Sequence, residues 1–176
     1  TIHGHQSEVD SGDGNDRIGI NGISNTVSGG NGNDRVFVGG VANLLHGGEG
    51  DDIVLIAGNG NIVYTESGAD KIDISGLMFS QGEALLADAS AEDRIKAFGF
   101  SLSGGIKNIA SESPWVYTGL VKYSVNAIGD LVIAGVVGDS RLYVSGFNNS
   151  LTGPFTANIM LGTYMGGAYN IFHKNA

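Results

Sequence analysis

The chain has 176 residues, of which 30 are glycine and none is cysteine, and its formal net charge is −9. The absence of cysteine excludes disulfides and cysteine-based zinc sites. Residues 1–76 contain 11 acidic and 3 basic residues, a net charge of −8. This half is therefore expected to repel nucleic acid and anionic membrane surfaces and to attract cations. No apolar run approaches the roughly 18 residues of a membrane span.

Aspartates recur with a constant period within closely similar segments, and asparagines lie halfway between them. The aspartates are Asp16, Asp34, Asp52 and Asp70, and the asparagines are Asn25, Asn43 and Asn61. Two positions after each of these seven comes an aliphatic residue: Ile18, Val27, Val36, Leu45, Val54, Val63 and Ile72. A second apolar series has the same period as the aspartates: Ile20, Val38, Ile56 and Ile74.

This register predicts a stack of short strands. A nine-residue unit of turn and strand cannot bury its apolar side chains alone, whereas stacked units bury a continuous aliphatic column. Two units make one coil, so the sequence predicts an all-β fold, a right-handed parallel β-roll over residues 1–76. All aspartate turns then lie on one edge of the roll and all asparagine turns on the other.

The aspartate turns are rich in glycine, at Gly12, Gly14, Gly30, Gly32, Gly48 and Gly50. Glycine permits positive φ and close backbone approach, so such turns can direct carbonyl oxygens into a small space. Calcium binds six or more oxygens from carboxylates and backbone carbonyls. Two successive aspartate turns can supply that set, which gives at most three sites between the four turns. The third is the weakest candidate, because Glu66 to Asp70 retains one glycine; Glu66 is expected to offer a carboxylate instead. The asparagine turns lack carboxylates, and we expect amide hydrogen bonds there.

The repeat resembles the G-G-x-G-x-D-x-U-x calcium-binding nonapeptide of RTX (repeats-in-toxin) proteins, most closely the C-terminal repeats of large secreted toxins or adhesins. The resemblance implies that the four aspartates and six glycines are calcium ligands. It also implies a secreted, extracellular bacterial protein, exported by type I secretion machinery, whose repeats fold on meeting calcium. A calcium-dependent module that binds a glycan or another ligand remains the alternative. No catalytic residue and no further cofactor are predicted, and no enzyme activity is expected.

Residues 77–176 are predicted to form a helical linker and a β-rich C-terminal capping region. Ser90 and Asp93 fit a capping box and Gly99 a helix stop, which predicts a helix within 80–99. Strand patterns follow at Trp115–Val125, Leu131–Val137, Leu142–Phe147, Phe155–Leu161 and Tyr169–Phe172. The segments 129–133 and 141–147 resemble the paired strands that flank RTX repeats.

Overall fold

The computed structural model describes residues 1–80, 82–90, 92–97, 100–103, 116–118, 121–125, 131–135 and 140–144. Nearly all of them lie in strands or tight turns. The strands are β1 (Glu8–Asp10), β2 (Arg17–Ile20), β3 (Thr26–Asn31), β4 (Arg35–Val38), β5 (Leu44–Glu49), β6 (Ile53–Ile56), β7 (Asn61–Ser67), β8 (Lys71–Asp73), β9 (Glu83–Leu86), β10 (Arg94–Ala97), β11 (Phe100–Ser103), β12 (Val116–Thr118), β13 (Val121–Val125), β14 (Leu131–Gly135) and β15 (Arg141–Val144). In this part of the chain the single helix, α1, spans Ser75–Ser80, and no helix is long and apolar enough to cross a membrane.

The strands form two sheets that share the coils of a parallel β-solenoid. One sheet has the order β1-β3-β5-β7-β9-β15-β14-β13-β12, and the other β11-β10-β8-β6-β4-β2. Each coil contributes one strand to each sheet, so β3 pairs with β5 and β4 with β6, both in parallel. Partners in the first four coils are separated by the period of the sequence repeat, as in Val36 beside Val54. The predicted β-solenoid architecture is confirmed.

The core is the space between the two sheets, and the predicted aliphatic series fill it. Residues Val27, Val36, Leu45, Val54, Val63 and Ile72 are fully buried, as are Ile20, Val38 and Ile74. Val9 and Ile18, in the first coil, are partly buried. Because successive residues of a strand face opposite sides, the alternate residues face outward, and one of them, Phe37, is 42% exposed.

The helix expected within 80–99 is wrong, because these residues form a fifth coil of the solenoid. Strand β9 pairs in parallel with β7, and β10 pairs in parallel with β8. Leu86 lies beside Val63 and Ile95 beside Ile72, so both continue the buried columns. Paired residues of this coil are further apart in the sequence than those of the earlier coils. The period of the repeat would have placed Ser90 beside Ile72, but Ile95 lies there instead.

The capping-box residues do form local hydrogen bonds. The Ser90 N–H donates to Oδ2 of Asp93 at 2.7 Å, and the Glu92 N–H donates to Oγ of Ser90 at 3.1 Å. These bonds close a turn, and the chain then pairs with the exposed edge of β8. Tertiary strand pairing thus overrides a local helix-start signal.

The C-terminal strands extend the solenoid's own sheet. Strand β15 pairs in parallel with β9, and β14, β13 and β12 follow in antiparallel order. The predicted pairing of the segments around 131 and 141 is confirmed as the β14–β15 pair. The predicted strands Phe155–Leu161 and Tyr169–Phe172 lie outside the described residues, as does the predicted helix stop Gly99.

The glycines of the aspartate turns are required for stacking as well as for their backbone angles. Gly48 has φ 111, and a Cβ there would collide with the carbonyl oxygen of Gly30. Gly12 has φ 81, but nothing lies within 4 Å of its Cβ position. We therefore expect Gly12→Ala to cost about 1 kcal/mol, from its backbone angle alone. Gly48→Ala should cost more than about 3 kcal/mol, because the coils must also separate.

Urea unfolding of both variants in excess calcium measures this difference. Equal losses of unfolding free energy in the two variants would show that inter-coil contact at these glycines is unimportant.

Candidate metal centre

A continuous ladder of carboxylates runs along one edge of the solenoid. Oδ1 of Asp34 accepts the Asp16 N–H at 2.8 Å, and Oδ1 of Asp52 accepts the Asp34 N–H at 2.8 Å. Oδ1 of Asp70 accepts the Asp52 N–H at 2.8 Å, and Oδ1 of Asp93 accepts the Asp70 N–H at 3.0 Å. These five residues are here called the aspartate ladder. Each link joins one coil to the next, so the ladder positions the turns relative to one another.

The second oxygen of each repeat carboxylate has no partner. Oδ2 of Asp16, Asp34, Asp52 and Asp70 is buried and accepts no geometrically well-formed hydrogen bond, although the nearby Thr65 hydroxyl partly opposes the rise in the pKa of Asp70. Buried polar atoms are almost always paired, and an unpaired charged oxygen carries a large desolvation cost. Four such atoms in four successive coils make this edge a candidate site for cations.

At Asp34 and Asp52, a backbone carbonyl of the next coil borders the same space as the unpaired oxygen. A Cβ placed on Gly47 would lie 2.8 Å from Oδ2 of Asp52 and 2.6 Å from the carbonyl oxygen of Thr65. A Cβ on Gly29 would likewise collide with Oδ2 of Asp34 and with the carbonyl oxygen of Gly47. Each of these glycines therefore leaves open a small space bordered by a carboxylate of its own coil and a carbonyl of the next.

All six glycines predicted as ligands lie in the turns of this edge, with positive φ angles. The values are 81° and 128° for Gly12 and Gly14, 99° and 125° for Gly30 and Gly32, and 111° and 126° for Gly48 and Gly50. The structure thus brings the predicted aspartates and glycines together on one edge.

Carboxylates alone do not complete a site. In the described residues, no three His, Asp or Glu side chains are grouped closely enough to hold a metal ion. Any cation here would have to take most of its ligands from backbone carbonyls. An all-oxygen set that mixes carboxylate and carbonyl suits a hard cation such as calcium, and does not suit zinc or copper.

The metal-free ladder is electrostatically unfavourable at neutral pH. Burial, with a smaller contribution from the neighbouring carboxylates of Asp34 and Asp51, raises the pKa of Asp52 to about 6, although the Asp34 N–H bond opposes the shift. Burial likewise raises the pKa of Asp70 to about 7, with further repulsion from Asp93 and Asp52. The pKa of Asp93 is also raised, mainly by burial.

The fourth turn departs from the others in an informative way. Thr65 stands where the second and third turns have Gly29 and Gly47 and the first has Ser11, and its carbonyl oxygen borders the Gly47 space together with Oδ2 of Asp52. The carboxylate expected from Glu66 lies elsewhere: its Oε1 is 2.8 Å from Nδ1 of His46. The third gap therefore keeps a backbone carbonyl and gains no extra carboxylate from Glu66.

The opposite edge is closed by amides, as expected. Oδ1 of Asn43 accepts both the N–H and the Nδ2 group of Asn25 at 3.0 Å. Nδ2 of Asn43 donates to the carbonyl oxygens of Gly39 at 2.8 Å and Gly22 at 3.0 Å. On the asparagine edge, an amide donor thus occupies the space between the carbonyls. The equivalent space between the repeat coils of the aspartate edge contains no donor.

Sequence reasoning missed Asp93 and Asp88, which belong to the fifth coil. An insertion in this coil breaks the period of the repeat, so a search at that spacing does not reach them. A signal was present, because Asp93-Arg94-Ile95 repeats Asp16-Arg17-Ile18. Asp88 accepts the N–H groups of Thr65 and Glu66, both at 2.9 Å.

Comparison of the chain with family models, with curated proteins and with solved structures finds no match.

The raised pKa values predict that acid stabilises the metal-free fold. The pKa of both Asp52 and Asp70 exceeds the ordinary value of 3.8. The folded state therefore binds more protons than the unfolded state at pH values between 3.8 and these raised pKa values. This stabilisation is complete below about pH 4 and is lost as the pH rises through 6 and 7. In protein stripped of metal and kept in calcium-depleted buffer, we expect a stronger β-sheet signal in far-UV circular dichroism at pH 5 than at pH 8, and a urea midpoint that falls as the pH rises.

Asp52→Asn together with Asp70→Asn provides the control, and should largely remove the difference between the two pH values. A metal-free midpoint that is the same at both pH values, or higher at pH 8, would contradict this account.

Proposed function

We propose that this chain is a calcium-binding module that folds when it meets calcium. The observation that supports this most strongly is the set of four buried Oδ2 atoms without partners, on Asp16, Asp34, Asp52 and Asp70. Those of Asp34 and Asp52 border the spaces beside Gly29 and Gly47, where the other neighbouring polar atoms are backbone carbonyl oxygens. Calcium, when bound, supplies positive charge to this row of oxygens.

The residues of the chain have distinct parts in this proposal. The Oδ1 atoms hold the coils in register through the ladder bonds, while the Oδ2 atoms remain available for a cation. The glycines keep side chains out of the inter-coil spaces. The stacked aliphatic columns then bury the apolar surface that makes the aligned turns stable.

The same residues explain why the metal-free chain would fold poorly at neutral pH. Ordering glycine-rich turns costs conformational entropy, and bringing the ladder carboxylates together costs electrostatic energy. A ligand that binds only the folded state shifts the equilibrium toward it. Three ions, one per gap between repeat turns, would add six positive charges against the net −8 of residues 1–76.

This behaviour suits the role implied by the RTX-like repeat. A chain that remains unfolded where calcium is scarce can pass through a type I secretion channel and fold outside the cell. We therefore propose that the module supports secretion and extracellular folding of a bacterial toxin, adhesin or exoenzyme.

Exchanging single side chains between the two edges tests the calcium assignment. Asp52→Asn keeps the ladder acceptor but removes the negative charge, so the calcium concentration at half-folding should rise at least about tenfold. Asn43→Asp, the matched control, removes the donors to Gly39 and Gly22. It should destabilise the fold in saturating calcium while leaving the stoichiometry of calcium binding unchanged.

Calcium titrations followed by circular dichroism and isothermal calorimetry give both quantities. The proposal fails if EGTA leaves the wild-type spectrum unchanged at pH 7.5, or if both variants alter calcium affinity equally.

Crystals grown in millimolar calcium should show where the ions bind. We expect two or three ions in a row along the aspartate edge, separated by about one strand spacing of roughly 4.8 Å. Comparable density beside Asn25, Asn43 and Asn61, or none beside the aspartates, would overturn the assignment.

A further inference from the structure

The gap between the fourth and fifth coils, here called the fourth gap, contains a side chain where the second and third turns have glycine. Gly29 and Gly47 leave open the space beside the unpaired oxygen of the aspartate in their own turn. A Cβ on Gly47 would lie 2.8 Å from Oδ2 of Asp52, so a side chain at this position enters that space. The equivalent residue of the fourth turn is Thr65, which is fully buried and faces inward on β7 together with Val63.

Two buried oxygens without a well-formed hydrogen bond lie near each other in the fourth gap. They are Oδ2 of Asp70 and Oγ1 of Thr65. Burial raises the pKa of Asp70 to about 7, and the Thr65 hydroxyl is one of the groups that oppose this rise, so the two side chains are neighbours. The carboxylate oxygen is an acceptor that lacks a donor, whereas the hydroxyl carries a proton that can rotate about its C–O bond. Each side chain therefore has the group that the other lacks.

The carboxylates of the fifth coil cannot provide the missing donor. Asp88 accepts the N–H groups of Thr65 and Glu66, and Asp93 accepts that of Asp70 at 3.0 Å. Ionised carboxylates only accept hydrogen bonds, and the charge of Asp93 repels that of Asp70. The Thr65 hydroxyl is thus the side-chain donor that the described residues place beside the Asp70 carboxylate.

The first turn shows that a hydroxyl at this position does not by itself close a gap. Ser11 is the equivalent residue there, but it is only half-buried, and its hydroxyl is not among the buried unpaired atoms of the described residues. A half-buried serine can rotate its hydroxyl toward solvent and leave Oδ2 of Asp16 open to a cation. Thr65 is fully enclosed and has no solvent to turn to.

We propose that Thr65 closes the series of calcium sites, because its hydroxyl donates to Oδ2 of Asp70 and takes the place that a cation takes in the other gaps. This inference rests on the proposed calcium function. It explains why four aspartate oxygens lack well-formed bonds although only three gaps separate the four repeat turns. A hydroxyl bound to a carboxylate forms a charge-assisted bond, which is stronger than a neutral one. Thr65 is therefore a positioning residue that holds the fourth coil against the fifth without metal.

Replacing Thr65 by residues of similar shape tests this role. Thr65→Val keeps the shape and removes the hydroxyl, so in saturating calcium the equilibrium constant for unfolding should rise at least about tenfold. The number of calcium ions bound should equal that of the wild type, because valine fills the same space. Thr65→Ser keeps the hydroxyl and should lose less stability than Thr65→Val. Urea unfolding followed by far-UV circular dichroism and isothermal calorimetry give the two quantities.

Nuclear magnetic resonance in saturating calcium reports the bond itself. The carboxyl carbon of Asp70 should change its chemical shift in Thr65→Val and change less in Thr65→Ser. A side chain that only fills space would leave the two variants alike at this carbon.

Thr26→Val is the matched control. Thr26 lies half-buried on the outward face of β3 in the same sheet. Removing its hydroxyl should leave the unfolding equilibrium constant within about threefold of wild type, because threonine and valine are both favoured in strands.

Crystals of the wild type grown in millimolar calcium should show ions beside Asp34 and Asp52 and none beside Asp70. The inference is overturned if an ion binds Oδ2 of Asp70, or if Thr65→Val is as stable as the wild type. Should Thr65→Val fail to fold, the ion positions in the wild-type crystals decide the question. A wild type that binds no calcium would instead refute the proposed function.

Discussion

The structure depends on how Asp34, Asp52 and Asp70 of the ladder divide their two oxygens. Oδ1 accepts an N–H from the preceding coil, a bond of 2.8 Å at both Asp52 and Asp70. Oδ2 is buried and has no donor. The first bond fixes the register of the coils, and the same geometry forces the second oxygen into a space bordered by carbonyls. In the described residues no protein group pairs with these Oδ2 atoms in a well-formed hydrogen bond, and the calcium that we propose would supply the positive charge that those of Asp34 and Asp52 lack.

The two edges of the solenoid show two solutions to one stacking problem. On the asparagine edge, the amide group of Asn43 accepts from one coil and donates to carbonyls of its own and the preceding coil. The turn backbone differs accordingly: the positive φ angles before Asn43 fall at Gly40 and Ala42, three and one residues earlier. Before Asp34 they fall at Gly30 and Gly32, four and two residues earlier. The aspartate turn therefore has its own path, which opens the space that the amide turn fills.

The first four coils could be predicted from the sequence because the aliphatic residues that recur at a strict period are the residues that are buried. Val36, Val54 and Ile72 recur at a constant spacing and occupy one buried column. The fifth coil could not be predicted from that period, since an insertion places Ile95, and not Ser90, beside Ile72. There, a capping-box signal at Ser90 and Asp93 favoured a helix, and only the free edge of β8 explains why a strand forms. For the candidate site, the residue types predicted which aspartates and glycines take part. The lack of a hydrogen-bond partner for Oδ2 can be seen only in the structure.

The fifth coil uses its carboxylates differently from the four repeat coils. Asp88 occupies the place of the first glycine, and both its oxygens accept N–H groups of the fourth coil. Asp93 likewise uses both oxygens, accepting from Asp70 and Ser90. Side-chain acceptors thus replace backbone carbonyls in this turn, and no oxygen of these two carboxylates is left for a cation. Because β9 of the same coil is joined to β15, the fourth coil stacks on a coil whose Asp88 and Asp93 oxygens are already paired, and the unpaired carboxylate oxygens of the described residues belong to the four repeat coils.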